Sequence, residues 1–225
     1  MNNFNIINIM LASINGKIAF HDKESSSERA KNAFTCQRDF ERMAKLVAQC
    51  DVVFHGASSI ESEKGAFRVA ALRKLQNEPE WIIFTRSGNI SFQSPFWKQE
   101  GIPKSIFFVS SFNMQEKPIL RVEEQEAPVG KITCYLGNMP GLIQHLKNKK
   151  YTKAALLGGG KLNTAFMQNN LIDELYLTLS PFIVGSSNAP SLFDFQENFT
   201  KRMILKNCES FDGFVYLNYL LSTKK

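Results

Sequence analysis

Ala155-Leu156-Leu157-Gly158-Gly159-Gly160-Lys161-Leu162 reads as an apolar strand that runs into three glycines and then into a helix continuing Asn163-Thr164-Ala165-Phe166-Met167. Glycine has no Cβ, so the backbone there can turn tightly and let a ligand come close. A helix that starts straight after the turn presents N–H groups without intrahelical acceptors and the positive end of its dipole, which suits a diphosphate. A plain strand-to-helix turn would use the same residues, because short glycine motifs recur by accident. Downstream, Asn169-Asn170 tolerate the left-handed backbone of a helix end. Leu175, Leu177 and Leu179 then alternate with polar neighbours up to Ser180-Pro181, the pattern of a half-buried strand, and Val184-Gly185 close it. Strand, glycine turn, helix and strand make one α/β unit with a candidate anion site at its first turn.

Working outward, residues 4–11 read as a strand, with Ile6, Ile7 and Ile9 in the nearly continuous apolar run of a sheet covered on both faces. Residues 12–34 read as a loop. Thr35 is an expected N-cap for a helix to about Gln49. In that helix Phe40, Met43, Ala44 and Val47 are spaced to face the core, and Arg38, Asp39, Glu41, Arg42 and Lys45 to face water. Residues 51–55, 81–84, 105–109 and 131–136 read as short strands, with a helix over 69–75 and an acidic, proline-bearing surface loop over 114–130. A helix over 138–150 accommodates Pro140 in its first turn. Residues 203–211 and 214–221, joined by Asp212-Gly213, read as an antiparallel hairpin.

This order predicts an α/β fold in one domain spanning 1–225, with a mostly parallel central sheet, helices on both faces and the antiparallel C-terminal hairpin. Ligands of such sheets bind beyond the carboxyl ends of the strands, which selects residues 12–17, 56–59, 85–87 and 158–162. Thr85-Arg86-Ser87 combine a guanidinium with two hydroxyls, a set suited to a phosphate monoester, although a solvated turn has the same composition.

A chain of 225 residues can bury one sizeable core, and its 44% hydrophobic and 21% charged residues place it with globular rather than disordered proteins. No apolar run approaches the ~20 residues that span a bilayer. Met1-Asn2-Asn3-Phe4 lacks a basic segment, so no cleaved leader is expected. Cys36, Cys50, Cys134 and Cys208 are scattered, as are His21, His55 and His145. Neither a metal site nor a disulfide framework is expected, and a reducing cytoplasm fits. The net charge of +6 is densest at Lys147-Asn148-Lys149-Lys150-Tyr151-Thr152-Lys153, the end of an expected helix, where cations complement the dipole. Aromatics do not interleave with the charges as a single-strand binder requires, so phosphorylated small ligands fit better than nucleic acid.

Residues 156–193 resemble the C-terminal signature of the riboflavin-pathway pyrimidine reductases, a family of the dihydrofolate-reductase-like superfamily. That signature is a Glu-Gly-Gly-Gly turn, a short helix, Leu-Val-Asp-Glu, a strand ending in Pro and a Leu-Gly. Here Leu171-Ile172-Asp173-Glu174, Pro181 and Val184-Gly185 stand at the later places. Met10-Leu11-Ala12-Ser13-Ile14-Asn15-Gly16-Lys17-Ile18-Ala19 resembles the family's Ser-x-Asp-Gly-Lys-Ile-Ala. Cys50-Asp51-Val52-Val53-Phe54-His55-Gly56-Ala57-Ser58-Ser59 is similar to its Asp-Ala-x-x-x-Gly-x-x-Thr.

The resemblance implies a dihydrofolate-reductase-like fold, NADPH as cofactor and a homodimer. It also implies hydride transfer to the sugar C1 of a ribosylaminopyrimidine phosphate in its ring-opened imine form. Gly56, Ser59, Thr85, Arg86, Ser87, Gly158, Gly159, Gly160, Lys161 and Leu162 would form the cofactor side, with Thr85 to Ser87 on the 2′-phosphate and the glycine turn on the diphosphate. Ser13, Asn15, Glu63 and Arg68 would bind substrate, and Asn15 with Lys17 would serve the chemistry. A snorkelling surface lysine is the alternative reading of Lys17. The pathway's bifunctional enzymes add a zinc deaminase with His-x-Glu and Pro-Cys-x-x-Cys. Nothing here matches that signature, so a stand-alone reductase half is expected.

Several positions depart from the pattern. Asn15 replaces the family's Asp, so hydrogen bonding is expected to do what the carboxylate does elsewhere. Leu157 replaces the Glu before the glycines, and Val47 stands where the family has an Arg. In Glu63-Lys64-Gly65-Ala66-Phe67-Arg68-Val69-Ala70 only Glu63 and Phe67 align with Asp-Asp-Pro-x-Leu-x-x-Arg, and Arg68 comes two places early. The cofactor motifs survive better than the substrate motifs. Two alternatives therefore stay open: a reductase of the same fold for another pteridine-like, pyrimidine-like or carbonyl substrate, and a non-catalytic nucleotide-binding protein.

Overall fold

The first strand, β1 (Asn5–Ser13), sends Ile6 into one buried cluster and Ile7 and Ile9 into another, the alternation of a strand covered on both faces. The structure is a computed structural model that describes residues 4–63 and 65–221. Residues 1–3 of the expected leader-free start and Lys64 of the Glu63–Ala70 stretch lie outside the described residues. The further strands are β2 (Val52–Gly56), β3 (Glu80–Thr85), β4 (Lys104–Val109), β5 (Leu120–Ala127), β6 (Gly130–Gly137), β7 (Lys153–Leu156), β8 (Glu174–Ser180), β9 (Met203–Phe211) and β10 (Phe214–Leu221).

They form one ten-stranded sheet in the order β5-β6-β4-β3-β2-β7-β1-β8-β10-β9. From β6 to β8 every neighbour pairs in parallel, and β1 sits between β7 (Ile6 opposite Ala154) and β8 (Ile9 opposite Tyr176). Antiparallel strands close both edges: β5 on β6, and β10 with β9 on β8. The C-terminal hairpin turns at Asp212-Gly213, both at positive φ, the requirement of a tight two-residue turn.

Helices cover both faces. On the Ile6 face, α5 (Met139–Asn148) contributes Met139, Leu142 and Leu146, and α6 (Gly160–Gln168) contributes Phe166, packed against Phe54, Phe84 and Phe112 at 5.5–5.8 Å between ring centroids. On the Ile7 face lie α2 (Gln37–Val47) and the single turns α3 (Ala57–Ile60) and α4 (Pro95–Lys98). The short α1 (Ser26–Lys31) precedes them. Among the described residues no helix is long and apolar enough to cross a membrane.

Five local expectations change. The loop over 12–34 contains α1, which Ser25 and Glu28 cap reciprocally. The loop over 114–130 contains β5, an acidic edge strand whose charge discourages further pairing. The helix over 69–75 shrinks to a single 3-10 turn, Ala70–Leu72. Cys36, not Thr35, is the N-cap of α2; the Thr35 hydroxyl donates to Asp39 instead. Arg42 also turns inward rather than to water, donating to Thr178 Oγ1 at 3.0 Å and the Leu217 carbonyl at 2.9 Å, because the sheet extends under α2 as far as β10.

Candidate functional site

The parallel strands deliver their carboxyl ends to one edge of the sheet, where the segments after β1, β2, β3, β7 and β8 gather. The glycine turn is laced to β2. The Leu157 N–H donates to the Phe54 carbonyl at 3.0 Å, and the Gly56 N–H donates to the Gly158 carbonyl at 2.8 Å. Gly158 has φ +87°, a conformation that L side chains rarely adopt. A Cβ on Gly160 would stand 2.2 Å from the Ser191 carbonyl oxygen, so the backbones meet too closely for any side chain. Ser59 Oγ accepts from the Gly159 N–H at 3.1 Å. Gly159 is the N-cap of α6, and no side chain caps that helix, so its positive end faces the turn. Lys161 is exposed beside it, whereas Leu162 packs on the core.

After β3, two hydroxyls fold the backbone locally: Thr85 Oγ1 accepts from the Gly88 N–H at 3.0 Å and Ser87 Oγ from the Asn89 N–H at 3.2 Å. Arg86 is exposed between them, its guanidinium 5.7 Å from the Phe112 ring centroid. Among the described residues no carboxylate pairs with it. This cation is oriented by a ring and open to an anion.

After β1 the groups bind one another and the segment after β8. Ser13 is fully buried; its hydroxyl donates to Asn15 Oδ1 at 2.8 Å and accepts from the Lys17 N–H at 2.9 Å. The Asn15 amide pairs reciprocally with the Val184 backbone, donating to the carbonyl at 2.9 Å and accepting from the N–H at 3.0 Å. Only an amide does both. Lys17 Nζ donates to the Ala189 carbonyl at 2.9 Å and to Ser191 Oγ at 3.2 Å, both neutral acceptors, so its charge is not neutralised there.

Glu63 and Arg68 are placed differently. The Glu63 carboxylate accepts from Arg29 at 2.9 Å and from the Ser26 N–H and hydroxyl at 3.1 and 2.6 Å, holding α1 against the segment after α3. Burial raises this carboxyl, but Arg29 and the Ser26 donors outweigh it and leave it below its ordinary value. Arg68 donates to the Glu100 carbonyl, just before β4 begins, and so lies by the amino ends of the strands, away from the other residues.

Three features were not anticipated in the sequence. Asn8, fully buried in the middle of β1, donates to the Leu156 carbonyl at 2.9 Å and to Asn163 Oδ1 at 3.0 Å. A lone Asn inside the Ile6-Ile7-Asn8-Ile9 run was the available signal. Residues 189–194 form a strap between the glycine turn and the β1 loop, which no local pattern announces. His55, buried at the end of β2, stacks on Trp81 at 6.1 Å, and burial holds its imidazole below the ordinary value against the pull of Glu63.

A mostly parallel sheet closed by an antiparallel hairpin, with a glycine turn and an unpaired arginine at its carboxyl edge, has the dihydrofolate-reductase-like fold. The dihydrofolate reductase of Enterococcus faecalis, solved in complex with NADP(H) and RAB-propyl, superimposes with a TM-score of 0.52 at 12% identity over 97% of each chain. The chain belongs to the family described as the RibD C-terminal domain, which matches residues 5–217. It is 22% identical over 212 residues to the 2,5-diamino-6-ribosylamino-4(3H)-pyrimidinone 5′-phosphate reductase of Archaeoglobus fulgidus, covering 90% of this chain and 92% of that one. A pyrimidine reductase-like protein from Corynebacterium diphtheriae superimposes with a TM-score of 0.71 at 17% identity, over 99% of this chain and 94% of the other.

Proposed function

We propose that the chain is an NADPH-dependent reductase of a ribosylaminopyrimidine 5′-phosphate in riboflavin biosynthesis. The observation that carries this is one edge of the sheet holding an uncapped helix start behind a glycine turn, an unpaired arginine between two hydroxyls, and a lysine bonded only to neutral acceptors. Arg86, with Thr85 and Ser87, would hold the 2′-phosphate of NADPH. Gly158 to Leu162 would hold the diphosphate, and Gly56 and Ser59 would brace that turn. The uncapped α6 and the exposed Arg86 fit such a group. Bound NADPH supplies the hydride; the protein orients two ligands face to face.

On the substrate side, Lys17 offers an ammonium charge to a sugar hydroxyl or phosphate. Ser13 and Asn15 hold its loop in place. Glu63 supports the site through α1, and Arg68 takes no direct part. We further propose that the enzyme works in the cytoplasm as a homodimer, with β9 as the paired edge, because that strand is exposed along nearly its whole length. Sedimentation of wild type against a Leu205→Lys variant checks this; two monomeric proteins would refute the dimer.

NADPH oxidation assayed in parallel on 5-amino-6-(5-phosphoribosylamino)uracil, on its 2,5-diamino counterpart and on dihydrofolate tests the function. The uracil form is the first expectation from sequence, and the diamino form is the one in the archaeal relative's name. Turnover of neither pyrimidine would reject the proposal. Tight NADPH binding without any turnover would leave the non-catalytic alternative.

A further inference from the structure

Residues 189–194 touch both sides of the site at once. Toward α6, Asn163 Nδ2 donates to the Leu192 carbonyl at 3.0 Å, the Asp194 N–H donates to Thr164 Oγ1 at 2.7 Å, and the Ser191 carbonyl fills the space that Gly160 leaves. Toward the β1 loop, the Leu192 N–H donates to the Gly16 carbonyl at 2.8 Å and the Ile18 N–H donates to the Pro190 carbonyl at 2.9 Å. Lys17 joins the same segment through Ala189 and Ser191.

Asn163 is fully buried and held from behind, its Oδ1 accepting from Asn8 Nδ2 at 3.0 Å. That bond fixes which end of the carboxamide faces the strap: the oxygen turns to Asn8, so the nitrogen turns to Leu192. Asn163 and Thr164 directly follow Gly160, Lys161 and Leu162 on α6. A group seated on the first turn of that helix therefore sits on the same rigid element that grips the strap.

We propose that Asn163 is a positioning residue for the substrate side: it places the 189–194 strap and, through it, the Gly16–Ile18 segment that carries Lys17. The inference rests on the reading that the glycine turn takes NADPH and the β1 loop faces the pyrimidine. Its physical content is a contiguous chain of hydrogen bonds from Asn8 through Asn163 and Leu192 to Gly16, biased from one end by dinucleotide and felt at the other by substrate.

The test compares wild type, Asn163→Ala and Thr164→Val in three measurements: NADPH Kd by fluorescence, KM for the ribosylaminopyrimidine phosphate, and amide exchange at Ile18 and Leu192 with and without NADPH. In wild type, NADPH should slow exchange at both amides. In Asn163→Ala that protection should vanish and KM should rise roughly tenfold, as expected when the half-buried Leu192 carbonyl loses its partner, while NADPH Kd stays within about threefold. Thr164→Val, which loses the Asp194 contact and the local bond from Thr164 Oγ1 to the Gly160 carbonyl but keeps the Asn163–Leu192 bond, should shift both readouts in the same direction by less. It keeps the test alive if Asn163→Ala does not fold.

Wild type that binds NADPH with no change at Ile18 and Leu192 would overturn the inference and leave the proposed function standing. So would KM and NADPH Kd that rise together as Tm falls, since that is the signature of a merely structural contact. Wild type that binds no NADPH would remove the underlying reading and the inference with it.

Discussion

The two sides of the carboxyl edge, proposed above to take cofactor and substrate, are built in opposite ways. Around Thr85 to Ser87 the hydroxyls bond to backbone within three residues and Arg86 meets only a ring, while the glycine turn is tied to the segment after β2 through Ser59. Around Ser13 to Lys17, the contacts reach some 170 residues along the chain, from Asn15 to Val184 and from Lys17 to Ala189 and Ser191. A site made by local turns presents its groups ready for a ligand and can lose one without disturbing its neighbours. A site made by distant segments holding each other transmits every change. Perturbations on the two sides should therefore separate into binding losses on one and coupled losses of stability and turnover on the other.

The largest effect should come where the sides meet, at Gly160. An added methyl group would stand 2.2 Å from the Ser191 carbonyl oxygen, and neither backbone can move freely. Gly160→Ala should cost about 3 kcal/mol in urea unfolding, the upper range for overpacking, with loss of activity. Gly56→Ala, whose Cβ would find its nearest neighbour at an ordinary 3.5 Å, should cost less than about 1 kcal/mol. Equal stabilities for the two variants would mean that the strap does not rest on the glycine turn.

Next comes Arg86→Ala, on the side where losses should stay local. A charge-assisted contact to a 2′-phosphate is worth roughly 1.5–3 kcal/mol, so NADPH binding should weaken more than tenfold, with NADH binding and Tm almost unchanged. Losses of the same size for NADH and NADPH would take Arg86 out of this role.

The same division explains what could be read in the sequence. Most strands along the chain, the glycine turn and the hairpin rest on local signals: apolar runs of strand length, glycines required by φ or close approach, and Asp212-Gly213 at positive φ. The turns after β3 and β7 were legible as turns for that reason. The Asn15–Val184 pair, the strap and the Asn8–Asn163 contact depend on which distant segment arrives next to them, and no spacing encodes that. Arg68 meets the Glu100 carbonyl, near the start of β4, a placement that a motif match cannot give because it carries residue type without saying which end of a strand it meets. The edge strand β5 was hidden by its charges, which are what an exposed edge needs.

On the substrate side, Asn15→Asp tests whether Asn15 simply replaces a carboxylate. Aspartate could still accept from Ser13 and Val184, but its second oxygen would face the Val184 carbonyl in place of a donor. The variant should lose about 1 kcal/mol of stability at pH 7 and turn over more slowly. Part of the stability should return in acid: a carboxyl facing a carbonyl has a raised pKa, and its protonated form restores the donor. A variant as stable and at least as active as wild type would show that the Val184 pair is dispensable and that Asn15 stands in for the aspartate.

The smallest effect on catalysis should come from Glu63→Gln, which asks whether that residue belongs to the substrate at all. Its partners are Arg29 and Ser26, so the variant should keep kcat/KM within about twofold while losing roughly 1 kcal/mol of stability at pH 7. His55 beside it is held neutral at that pH by burial in both proteins. The pH dependence has a definite sign. Burial raises the Glu63 carboxyl, but Arg29 and Ser26 pull it below its ordinary 4.5. A carboxyl depressed in the folded state contributes its full stabilisation above the ordinary value and loses it as pH falls through the folded value. The advantage of wild type over Glu63→Gln in urea midpoint should therefore hold from neutral pH down to the carboxylate range and shrink below it. A midpoint difference that ignores pH, together with a large fall in kcat/KM, would return Glu63 to the substrate and make that side of the site less self-contained than its hydrogen bonds indicate.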